Sequence, residues 1–140
     1  MSYAEKTAWI MIVALTGTGF LYFDTVAEFS PSLWQPAEPG LPLIVRYTVA
    51  LVVIAVAGHI VTAILSPQDA NAPYDERDRR ILDKAGHWSG YVLGFGAVMS
   101  LGAYLFLHNG NLLFYGVFAS LILSQIAEYA IQILLYRTRV

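Results

Sequence analysis

Asn111 to Tyr136 reads NLLFYGVFASLILSQIAEYAIQILLY, and this stretch decides the fold class. It is a run of about 26 residues with one charge, Glu128. A helix of that length crosses a hydrocarbon core about 30 Å thick. A carboxylate near the membrane interior costs roughly 2.5–3.5 kcal/mol on insertion scales, so it calls for a partner.

Working outward, three more apolar runs stand out, and the four spans are predicted at about 6–26, 41–65, 85–107 and 112–136. In lipid the backbone must satisfy its own hydrogen bonds, so each run is a helix. The expected fold is all-α, a bundle of four transmembrane helices forming one integral membrane domain. Composition agrees: 57% of the 140 residues are hydrophobic and 13% charged, where soluble domains carry about 25% charged residues. The first run is too long for an ordinary signal segment and reads as a span. There is no cysteine, which excludes disulfides, thiolate metal sites and cysteine nucleophiles.

Charge orients the spans. Lys6, Arg77, Arg79, Arg80, Lys84, Arg137 and Arg139 fall on one side, and Arg46 is the exception. The positive-inside rule then predicts a multi-pass protein of the cell (inner) membrane with both termini cytoplasmic. The loop FSPSLWQPAEPGLP (29–42) has four prolines and reads as ordered without regular structure. Pro42 suits the first turn of the second helix. The turn His108–Asn111 makes the last two helices a tight hairpin, with Asn109-Gly110 suiting positive φ.

Several polar groups lie inside the spans. Ser124, Gln125, Glu128 and Gln132 recur at spacings that put them on one helix face. His59 and Glu128 both lie roughly 9–12 Å above the inner interface, and His87 lies nearer to it. A polar cluster of His59, His87, Glu128, Gln125 and Gln132 in the inner half is therefore expected. In low dielectric a carboxyl and an imidazole can share a proton. The plainest reading is interhelical hydrogen bonding. Sharper readings are a proton relay, a polar ligand pocket, or a haem or divalent metal site using His59, His87 and Glu128. The histidine depths differ by roughly 5 Å, which weighs against haem. No cofactor is assigned. Gly86, Gly90 and Gly94 form a small-residue stripe that suits helix packing inside the monomer, or a dimer interface. Asp24 and Arg46 stand at similar depth and are expected to form a structural ion pair.

Between the second and third spans, acids precede bases in Asp75-Glu76-Arg77-Asp78-Arg79-Arg80, which suits a helix N-terminus and its dipole. Glu76–Arg80, Asp75–Arg79 and Arg79–Asp83 are i,i+4 pairs. The third helix is thus expected to start near residue 75, run to about 107 and extend into the cytosol. Asp75, Glu76, Arg77 and Arg80 would form a docking stub for a partner, or simply a solvated helix end. The D-E-R-x-x-x-I-x-x-K-A pattern (Asp75-Glu76-Arg77, Ile81, Lys84-Ala85) resembles that of a family of small, about four-span membrane proteins of unknown function. The resemblance covers the half from Tyr74 onward, implies an integral membrane protein and brings no catalytic residue.

Enzyme motifs are absent: there is no phosphate-binding loop, nucleophile elbow or CxxC. Direct nucleic-acid binding is not expected, since the few bases are mixed with acids. The leading expectation is a non-enzymatic protein that senses or scaffolds through the juxtamembrane helix and the inner polar pocket. The alternatives are a haem- or metal-binding bundle and a subunit of an oligomeric transporter or channel. The partners expected are the lipid bilayer, a second copy of the chain, or another membrane or cytosolic protein.

Overall fold

Each apolar run becomes one helix in the computed structural model, which describes residues 3–65, 67 and 75–138. The helices are α1 (Tyr3–Glu28), α2 (Leu41–Leu65), α3 (Glu76–Leu107) and α4 (Gly110–Arg137). All four are long and apolar enough to cross a membrane. Residues 68–74, including Pro73, and Arg139 lie outside the described residues.

The ends of the helices follow from local chemistry. Asp75 caps α3: its carboxylate accepts from the Glu76 N–H at 2.7 Å, and Asp78 completes a capping box from the third position. Pro42 stands in the first turn of α2, where its missing N–H leaves nothing unpaired. At the α3–α4 turn the left-handed residue is His108, with φ 50°. This corrects the expectation for Asn109-Gly110. Asn109 instead stays extended and caps α4, its side-chain oxygen accepting from the N–H groups of Asn111 and Leu112. The long loop is ordered. The Asn109 and Asn111 side-chain amides donate to the carbonyls of Trp34 (3.1 Å) and Pro36 (3.2 Å), tying the first loop to the second turn.

Several threonine and serine hydroxyls inside the helices bond back to their own chain, as suits an apolar surrounding. Thr18, Thr62, Ser100 and Ser120 each donate to the carbonyl four residues earlier, at 2.7 Å.

Packing runs in the spatial order α2–α1–α4–α3. The two inner helices carry the burial. Of the most apolar stretch of each helix, 33% is buried in α1 and 28% in α4, against 6% in α2 and in α3. The outer helices present Val, Leu and Phe to their surroundings, a pattern suited to lipid. At the loop end, Tyr22, Val26, Tyr47, Tyr115 and Ile122 form the core, joined by Phe23 and Phe118. Its rings meet mostly tilted or edge to face, with Tyr22–Phe118 centroids 4.8 Å apart and Tyr47–Phe118 5.3 Å apart.

The closest helix crossing joins α3 and α4. Gly96 faces Ser120, and Gly116 faces Ser100 in return. A Cβ built on Gly96 would lie 2.6 Å from the Ser120 Cβ, and one on Gly116 would lie 3.0 Å from the Ser100 Cβ. Two antiparallel Gly-x-x-x-Ser segments thus bring the backbones together. The Gly86/Gly90/Gly94 stripe makes no such contact. A Cβ on any of the three would meet nothing within 4 Å. The expectation that these three glycines pack inside the monomer is therefore corrected: the α3–α4 seam uses the face carrying Ile81, Ala85, Ser89, Gly96 and Ser100.

Candidate functional site: the Glu128 group and the termini end

Helical periodicity carries the α3–α4 seam from the Gly/Ser crossing toward the termini. One turn at a time, α4 presents Ser120, Ser124, Glu128 and Gln132. Ser124 and Gln132 are almost fully buried, at 3% and 4% exposure. Glu128 is half-buried. Its carboxylate accepts from the Ser89 hydroxyl of α3 and from the Gln132 amide, both at 3.4 Å. These contacts are long, because an unstrained O–H···O bond is about 2.7–2.8 Å. The Ser89 hydroxyl also lies 2.9 Å from the Gly86 carbonyl, and it has one proton to give. The carboxyl is therefore loosely held. Its neighbour Ser89 can turn away to another acceptor, the Gly86 carbonyl.

The predicted cluster is only partly assembled. Glu128 and Gln132 are neighbours, but Gln125 is exposed. It lies one residue, about 100° of helix, from the buried Ser124 and so falls off the seam. His87 is also exposed, edge-on to the Tyr91 ring with centroids 5.0 Å apart. It lies two residues from Ser89, which turns it to the opposite side of α3. His59 is half-buried on α2, next to Gly58, where α2 crosses Ile10 of α1. Since α2 and α3 sit at opposite ends of the packing order, the two histidines and Glu128 are not brought together. Among the described residues, no three His, Asp or Glu side chains form a group that could hold a metal ion.

The Asp24–Arg46 pair does not form either. Both side chains are exposed, and the ion pairs between described residues lie elsewhere. Asp24 is two residues from the core residue Tyr22 and so points away from α2. Arg46 lies instead along a crevice with Tyr22 and Tyr47.

A second polar region closes the termini end. The Arg137 Nε donates to the Glu5 Oε1 at 3.2 Å, and the Arg137 guanidinium lies 5.7 Å from the centre of the Trp9 ring. Glu5 is only 8% exposed, in the first turn of α1. Arg137 is in the last turn of α4. Each charge complements its own helix dipole. The Tyr136 hydroxyl donates to the Asp78 Oδ1 at 2.8 Å, joining the end of α4 to the start of α3. Of the predicted stub pairs, Glu76–Arg80 forms at 3.8 Å with both side chains exposed. The Asp75 carboxylate is engaged as a cap and makes no pair with Arg79.

Beside these contacts lies a crevice of about 390 Å³. Ile81 and Leu135 supply its apolar part, and Asp75, Glu76, Arg77, Arg80 and Lys84 its charges.

Glu5, Ser89 and the Asp78–Tyr136 contact were not predicted. Ser89 had a signal, since Ile81, Ala85 and Ser89 share one face at spacing four. Glu5 and Arg137 had none, because they stand at opposite ends of the chain. Comparison with protein families, with curated proteins and with solved structures finds no match for this chain.

Proposed function

We propose that this chain is a non-enzymatic, multi-pass protein of the cell (inner) membrane. Its termini are cytoplasmic, and it senses or scaffolds through the face where α3 begins and α4 ends. The orientation rests on charge: seven of the eight basic residues lie toward that end. One observation carries the docking reading, the crevice formed by Ile81 and Leu135 within a rim of Asp75, Glu76, Arg77, Arg80 and Lys84. An apolar centre with a polar, water-accessible rim is the anatomy of protein interfaces. The rim bears both signs, so it suits a partner segment with alternating charges around an apolar anchor. Glu128 lies on the same helix pair, two turns from the crevice, and a change in its hydrogen bonding would be felt along the α3–α4 seam.

The test replaces Glu76, Arg77, Arg80 and Lys84 together by alanine. Asp75 and Asp78 are spared because they hold the helix end. Cross-linking in intact membranes, read by mass spectrometry, should show wild-type protein captured with a defined partner and the variant without it. An identical partner profile for the two proteins would remove this reading.

A further inference from the structure

Arg46 stands apart from the seven basic residues at the termini end. It lies on the second turn of α2, at the loop end of the bundle. Its side chain is exposed, and it makes no ion pair among the described residues. An arginine at the margin of a span seeks a counter-charge at the interface.

It lines a crevice of about 220 Å³ between α1 and α2, together with Thr18, Leu21, Tyr22, Thr25 and Leu43. That is room for on the order of seven water molecules at ~30 Å³ each, enough for a small polar head and too little for a folded segment. Tyr22 is 3% exposed; its ring forms part of the crevice wall, while its hydroxyl is closed to the crevice and has no hydrogen-bond partner among the described residues. The Thr18 and Thr25 hydroxyls already donate to the carbonyls of Ala14 (2.7 Å) and Leu21 (2.8 Å). The charged group among the crevice's lining residues is the Arg46 guanidinium, whose N–H groups face outward as donors. A matching ligand carries negative charge and acceptor oxygens at one end for Arg46 and apolar carbon for Leu21 and Leu43.

We propose that this crevice binds the head of a phospholipid. The phosphodiester sits on Arg46, and the acyl chains pass Leu21 and Leu43 and follow the outside of the α1–α2 pair. A phosphodiester suits a guanidinium fork, which makes two parallel charge-assisted bonds. The site is at the opposite end of the bundle from the docking face and does not depend on it.

The test uses the full chain, purified in a maltoside detergent and delipidated, then titrated with dioleoylphosphatidylglycerol and followed by native mass spectrometry and thermal unfolding. The wild type should retain bound lipid and unfold at higher temperature as lipid is added. Arg46→Gln should bind roughly tenfold more weakly, and Arg46→Lys should fall between them. Tyr22→Phe, which removes only a hydroxyl closed to the crevice, should retain lipid as the wild type does. Wild-type retention in Arg46→Gln, or no lipid-dependent shift in the wild type, would overturn the proposal. Inorganic phosphate stabilising the protein as well as the lipid does would overturn the lipid assignment in favour of a free anion.

Discussion

Gly90 and Gly96 lie six residues apart on α3, yet their surroundings are opposite. Gly96 meets Ser120 so closely that even one added carbon has no room, while Gly90 faces open space. Gly96→Ala is expected to cost about 1–3 kcal/mol, the range for overpacking a tight contact. Gly90→Ala should be neutral, or stabilising by up to about 1 kcal/mol from helix propensity. Unfolding of both variants in the same detergent measures the contrast, and equal losses would show that the crossing is misplaced. The two sites look alike in sequence, since both belong to small-residue repeats at spacing four. Only the neighbour decides which repeat is used. Glu128 follows the same logic. Its polar stripe was legible from the spacing of Ser124, Glu128 and Gln132. Its partner Ser89, and the separation of His59 and His87 from it, depend on which helices adjoin.

At the scale of elements, α3 shows how local chemistry sets a boundary. Asp75 engages its carboxylate in the cap, so the i,i+4 pattern that paired it with Arg79 is not realised. A cap is worth about 1 kcal/mol, against about 0.3–0.5 kcal/mol for an exposed i,i+4 pair, so the cap prevails. Asp75→Ala is therefore expected to lower stability by about 1 kcal/mol and to speed amide exchange in the first turn, residues 76–79. Exchange no faster than in the wild type there would sink this account. The start of α3 near residue 75 was readable because acids precede bases. The αL residue at the α3–α4 turn was misassigned by one position. Asn109 has two competing local uses, and capping α4 while reaching Trp34 satisfies more hydrogen bonds than a left-handed turn at that residue.

At the scale of the whole molecule, first and last helices are joined at the termini end by Glu5 and Arg137. Arg137→Ala should cost about 1.5–3 kcal/mol, the range for a hydrogen bond to a charged group, with Arg137→Lys losing less. Loss of thermal stability in detergent reads this directly, and an unchanged midpoint would mean that the contact contributes nothing. Sequence by itself determined that the chain is all-α, that it has four helices long enough to span a membrane, and roughly where they begin and end. Those features are local, set by apolar run length, by backbone hydrogen bonding in lipid and by capping chemistry. The tertiary structure alone decided the order α2–α1–α4–α3, the Gly96/Ser120 and Ser100/Gly116 crossing, the open Gly86/Gly90/Gly94 stripe and the separation of Arg46 from Asp24. Apart from the Ser124/Glu128/Gln132 stripe of α4, the apolar helices offer lipid-compatible faces all round, so hydrophobicity does not say which of those faces meet. That choice falls to close steric fit and hydrogen bonding between residues far apart in the chain.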